Sequence, residues 1–177
     1  VEERVRVHKA RLGGEEFRVI RPEPSSARLA LRDDHHWLSM YVDRAGAQRL
    51  VALWALAARS ARSLIHLPIR ANRPPEGVDG VGGVGDGGPV MLDLVLLHHL
   101  AFDIAAHTLF VVGSPTAFRE HGTALRGLVD QAPSFPYRYP HAGHFCVELD
   151  PGPWSRIRNR RRLPATLHIQ YSADWRV

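Results

Sequence analysis

Polar and apolar residues alternate from Arg4 to Leu12, with Val5 and Val7 on one face and Arg4, Arg6 and His8 on the other. That period of two is the mark of a strand with one covered face. Gly13-Gly14 breaks the pattern and a second alternating run follows around Phe17 and Val19, which together predict a β-hairpin. Pro22, Pro24, Ser25 and Ser26 predict a loop. Leu29 and Leu31 begin a short strand, and His36 to Val42 reads as another, with Trp37 and Met40 near its centre.

After Asp43 the period changes. Leu50, Val51, Leu53, Trp54 and Ala57 recur at helical spacing, so Asp43 is the expected N-cap of an amphipathic helix running to about Arg62. Leu64 to Ile69 returns to strand. Residues 72–89 carry Pro74, Pro75 and seven glycines from Gly77 to Gly88, a composition that predicts a mobile loop or linker.

The longest apolar run, Val90 to Val112, follows, and Leu109 to Val112 reads as a buried strand. Ser114 as N-cap and Pro115 at the first helical position open a second helix, whose stripe is Phe118, Leu125, Leu128 and Val129. Pro133 to Pro140 is a proline-aromatic loop, His144 to Leu149 a strand, Asp150-Pro151-Gly152-Pro153 a turn, and Thr166 to Tyr171 the last strand. Strand–helix–strand thus occurs twice. The expected fold is α+β, an antiparallel-rich sheet packed by about two main helices. We expect a single domain over residues 1–177, with halves 1–71 and 90–177 joined by the 72–89 loop.

Composition narrows the function classes only a little. The net charge is +5, and of 23 basic residues only Lys9 is lysine. Such a skew toward arginine, beside abundant Ala, Gly, Val and Pro, fits a GC-rich bacterial genome, so the basic balance alone does not imply a nucleic-acid partner. One cysteine, Cys146, excludes an intrachain disulfide framework, and a reducing cytoplasm is the expected compartment. No signal peptide is visible. Asp93, His98, His99, Asp103 and His107 interrupt the apolar run, which argues against a membrane span.

Chemistry is concentrated in a few places. His98-His99-Leu100-Ala101-Phe102-Asp103 spells H-H-x-x-x-D, and over these six residues it resembles the active-site motif of condensation-domain and chloramphenicol-acetyltransferase-like enzymes. The resemblance implies an acyl-transfer enzyme with His99 as general base and Asp103 as its structural partner. Ile104 stands where that motif continues with glycine. On a helix, His99, Asp103 and His107 would instead stack on one face as metal ligands. On the strand near the C-terminus, His144, Cys146 and Glu148 share a face opposite Phe145, Val147 and Leu149, a pattern open to a nucleophile, a ligand set or an ordinary half-buried strand.

Gly80 to Gly85 matches G-x-G-x-x-G, but Arg73-Pro74-Pro75 before it and Asp86-Gly87-Gly88-Pro89 after it deny it the required strand and helix. No metal framework and no cofactor are expected. Arg156, Arg158, Arg160, Arg161 and Arg162 form the densest charge cluster, a candidate nucleic-acid patch. Phe135, Tyr137 and Tyr139, set among prolines, are a candidate protein-docking surface. The favoured reading is a small cytoplasmic, non-enzymatic module of regulatory or immunity type that binds a protein. The His99 acyltransferase-like enzyme and the arginine-rich nucleic-acid binder are the alternatives, and self-association is open.

Overall fold

The computed structural model describes residues 3–12, 14–33, 37–69, 90–92, 100–103, 108–139, 141, 143–149 and 166–173. Strands β1 (Val5–Leu12) and β2 (Glu15–Pro22) form the expected hairpin, Leu12 facing Glu15 across the glycine pair. Gly14 takes a left-handed φ of +85°, which a side chain would resist. Strands β3 (Leu29–Asp33) and β4 (Trp37–Val42) pair antiparallel.

Helix α1 (Arg44–Ala57) begins where Asp43 caps it, its carboxylate accepting from the Gly46 amide at 2.6 Å. The same oxygen accepts from the Arg28 amide at 3.2 Å and ties the helix start to the segment before β3. The helix stops at Ala57, not near Arg62. Arg59, Ser60 and Arg62 offer nothing to bury, and the Ser63 hydroxyl takes the Ala57 carbonyl at 2.8 Å.

The chain continues through β5 (Ser63–Pro68), β6 (Val90–Leu92), β7 (Leu100–Asp103) and β8 (Thr108–Gly113). Three strands therefore occupy the long apolar run, and among the described residues no helix is long and apolar enough to cross a membrane. Helix α2 (Pro115–Asp130) is capped by Ser114 with Pro115 in its first turn. A 3-10 turn (Ala132–Ser134) and a single helical turn, α3 (Phe135–Arg138), stand where a loop was expected. Pro133 and Pro136 fall in the first turns, where a fixed φ is helical and a missing N–H costs nothing. Strands β9 (Cys146–Leu149) and β10 (Thr166–Tyr171) complete the chain.

The fold is α+β, with two helices packing mixed sheet. One sheet has the order β1-β2-β5-β8-β7-β6, the other β3-β4-β10-β9. Most pairings are antiparallel. β2 with β5 and β4 with β10 are parallel. Both strand–helix–strand units are present, and each steps from one sheet to the other: β4-α1-β5 and β8-α2-β9. The halves do not run in the same order. The first places two strands in each sheet before its helix, whereas the second places three in one sheet before the helix and two in the other after it.

One core joins Ile20, Ile65, Leu67, Leu109 and Val111 of the first sheet to Met40, Val42, Leu149, Leu167 and Ile169 of the second. Leu50, Leu53, Trp54 and Ala57 of α1 and Phe118, Leu125 and Leu128 of α2 fill it. α1 touches β2, β5, β4 and α2, which explains why so little of it is exposed. α2 touches α1 and β9, and thereby supports the strand that carries His144, Cys146 and Glu148 at its start and along its length.

Candidate functional site

The described residues bring chemistry together at one end of the second sheet. Phe145 precedes β9 and lies over Gly127 of α2, where an added Cβ would stand 3.2 Å from the ring. Phe135 meets Phe145 edge-on, with centroids 5.5 Å apart and planes at 73°. Tyr139 leans on Phe135 at 5.1 Å. The three aromatic candidates therefore divide. Phe135 is a half-buried anchor, whereas Tyr137 and Tyr139 are 88% and 57% exposed. Arg138 between them is also exposed.

On β9 the alternation holds. Val147 and Leu149 face the core, and Cys146 and Glu148 face away. β10 pairs with it so that Glu148 stands opposite His168 and Cys146 opposite Gln170. His168 thereby joins the same outer face. Its Nδ1 lies 3.4 Å from Glu148 Oε1, and its ring meets that of His144 edge-on at 5.7 Å. One ligand atom from each of His144, Cys146 and His168 falls within 4.8 Å of the other two.

The electrostatics of this face disfavour free charge. Burial, then the proximity of His168, holds the His144 imidazole below its ordinary value. Burial, then the Glu148 carboxylate, pushes the Cys146 thiol up. A thiol kept protonated is a poor nucleophile, so the nucleophile reading of Cys146 has no support in its surroundings.

Sequence reasoning placed His144, Cys146 and Glu148 on one face but missed His168. The signal was partial: His168 alternates with core-facing Leu167 and Ile169, which aims it outward. Which strand β10 would lie beside was not legible.

The remaining candidates fall as follows. His98, His99 and His107 lie outside the described residues, as do Arg156, Arg158, Arg160, Arg161, Arg162 and the 72–89 segment. Asp103 ends β7, where its backbone pairs with Thr108. Residues 100–103 are strand, not the helix on which the metal reading of this segment depends.

A cleft of about 210 Å³ opens beside Pro22, Pro24, Leu29 and Pro68, with Arg49 at its wall. Arg49 is 7% exposed, and its donors are engaged internally by Glu3 at 3.1 Å, the Ser25 hydroxyl and the Glu23 carbonyl. Among the described residues Nε finds no partner, and with both terminal nitrogens engaged no fork is left for a bidentate anion. No family model, curated protein or solved structure matches the chain.

Proposed function

We propose that this chain is a non-enzymatic protein-binding module, of regulatory or immunity type, that docks an acidic partner surface through Tyr137 and Tyr139. The observation that carries the reading is the exposure of these two rings on a fixed turn. Large aromatic side chains at 88% and 57% exposure do little for folding, but they are the residue types on which interfaces concentrate binding energy. Phe135 and Phe145 hold the turn in place before any partner arrives, which lowers the ordering cost of association. Arg138 and the net charge of +5 favour an acidic counterpart. The reading places the protein in a bacterial cytoplasm, where Cys146 stays reduced.

The test is capture of partners from a lysate of the source organism after nuclease treatment, by the native chain and by Tyr137→Ala/Tyr139→Ala. A stoichiometric protein retained by the native chain and lost by an equally folded variant supports the reading. Equal capture by both, or capture of nucleic acid alone, overturns it.

A further inference from the structure

We propose that His144, Cys146 and His168 form a binding site for one zinc ion on the outer face of the second sheet. Cys146 and His168 come from neighbouring strands whose register is fixed by the pairing of Val147 with Ile169 and of Glu148 with His168, and His144 lies two residues before β9. Their ligand atoms already lie within 4.8 Å of one another. A tetrahedral zinc, with Zn–N of about 2.0 Å and Zn–S of about 2.3 Å, holds such atoms roughly 3.5 Å apart. Side-chain rotation is the movement that metal binding requires to close that difference.

Glu148 completes the arrangement from behind. Its carboxylate sits 3.4 Å from His168 Nδ1. An Nδ1–H donated to that oxygen would fix the ring and its tautomer, the carboxylate–histidine arrangement that supports bound zinc elsewhere in proteins. A divalent cation bound beside Cys146 displaces the thiol proton.

Two imidazoles and one thiolate select a borderline-soft ion such as zinc over magnesium or calcium, which prefer oxygen ligands. Three protein ligands leave the fourth position to water or to a group supplied by a partner. Phe145 lies in the chain between two ligands and packs on Phe135. Bound metal would therefore pin the strand against which the Tyr137–Tyr139 turn rests, although the metal site stands whether or not that turn docks a partner.

The test uses untagged, metal-free full-length protein titrated with Zn2+ against a chromophoric chelator, and separately with Co2+. The expected result is one ion per chain. The cobalt protein should show a thiolate-to-metal charge-transfer band and the intense visible bands of a tetrahedral site. Cys146→Ser should abolish the charge-transfer band, and His168→Ala should weaken zinc binding at least about 100-fold. Glu148→Gln should weaken it by about 10- to 100-fold. His141→Ala, an exposed neighbour outside the cluster, should bind as the native chain does. Absence of stoichiometric binding, or a cobalt spectrum without thiolate character, overturns the assignment. The native-chain spectrum decides even where a variant fails to fold.

Discussion

Trp54 of α1 meets Phe118 of α2 edge-on, with ring centroids 6.1 Å apart and planes at 79°. Both rings are fully enclosed in the shared core, so this pair is a contact through which the two helices pack. Trp54→Ala is expected to cost about 3–5 kcal/mol, the range for deleting a buried large aromatic. Among the described residues Trp54 Nε1 finds no hydrogen-bond partner, and a buried donor of that kind is itself destabilising. Trp54→Phe removes it while keeping most of the ring, and is expected to cost less than half as much as Trp54→Ala. Urea denaturation of the three proteins checks both statements.

Two helical glycines should respond to alanine in opposite directions. An added Cβ at Gly46 would stand 2.5 Å from the Arg28 carbonyl oxygen, a backbone atom that cannot swing aside. Gly46→Ala is expected to destabilise by about 1–3 kcal/mol, as overpacking does. At Gly122 the nearest atom is Trp54 Cβ at 3.7 Å, an ordinary contact. There the helical preference of alanine prevails, and Gly122→Ala is expected to gain about 0.5–1 kcal/mol. Thermal unfolding of the two variants gives the signs directly.

His66 of β5 sets a pH dependence. Burial, then Arg21 of β2 and His8 of β1, holds its imidazole below the ordinary value. Protonation is thus easier in the unfolded chain than in the folded one. The neutral ring's contribution to stability is complete above an ordinary histidine pKa of about 6.5 and is lost as the pH falls below it toward the folded value. The stability difference between the native chain and His66→Gln is expected to shift against the native chain between about pH 7.5 and pH 5. Denaturation midpoints measured across that range, unchanged in their difference, would refute the assignment.

Glu3 and Arg49 form an ion pair in which burial outweighs attraction on both sides. Glu3 is raised and Arg49 lowered from their ordinary values, desolvation leading in each case. Removing Glu3 takes the carboxylate from Arg49 but leaves the Ser25 hydroxyl and the Glu23 carbonyl on its guanidinium, so the loss is expected at about 1–3 kcal/mol, below that of a stranded charge. Glu3→Leu with Arg49→Met is expected to recover part of that loss. A double-mutant cycle measures the recovery.

Much of the fold was legible because local signals agreed with the global structure. The Gly13-Gly14 hairpin, the Asp43 and Ser114 caps and the stripe of α2 were each written in adjacent residues. What stayed hidden was set by distant partners. Nothing near Val42 says that β4 will lie beside β10, or that β9 will bring His144 and Cys146 to His168. The aromatic turn reads as loop from its prolines, yet Pro133 and Pro136 occupy first-turn positions where proline suits a helix. At the same turn, Tyr137 and Tyr139 were recognisable as candidates, but only the Phe135–Phe145 contact separated anchor from exposed surface.

The interleaving of the sheets also governs how the chain must fold. β4 is made well before its neighbour β10, and β5 likewise waits for β8. An emerging chain therefore holds Met40 and Val42 without their β10 neighbours until that strand arrives, and α1 without its main helical neighbour until α2 is made. Folding is forced to be late and non-local, with the slow rates that high contact order brings. The same dependence makes each half a reporter for the other: fragments split between β5 and β6 would be unable to complete either sheet alone, and could be assembled only together.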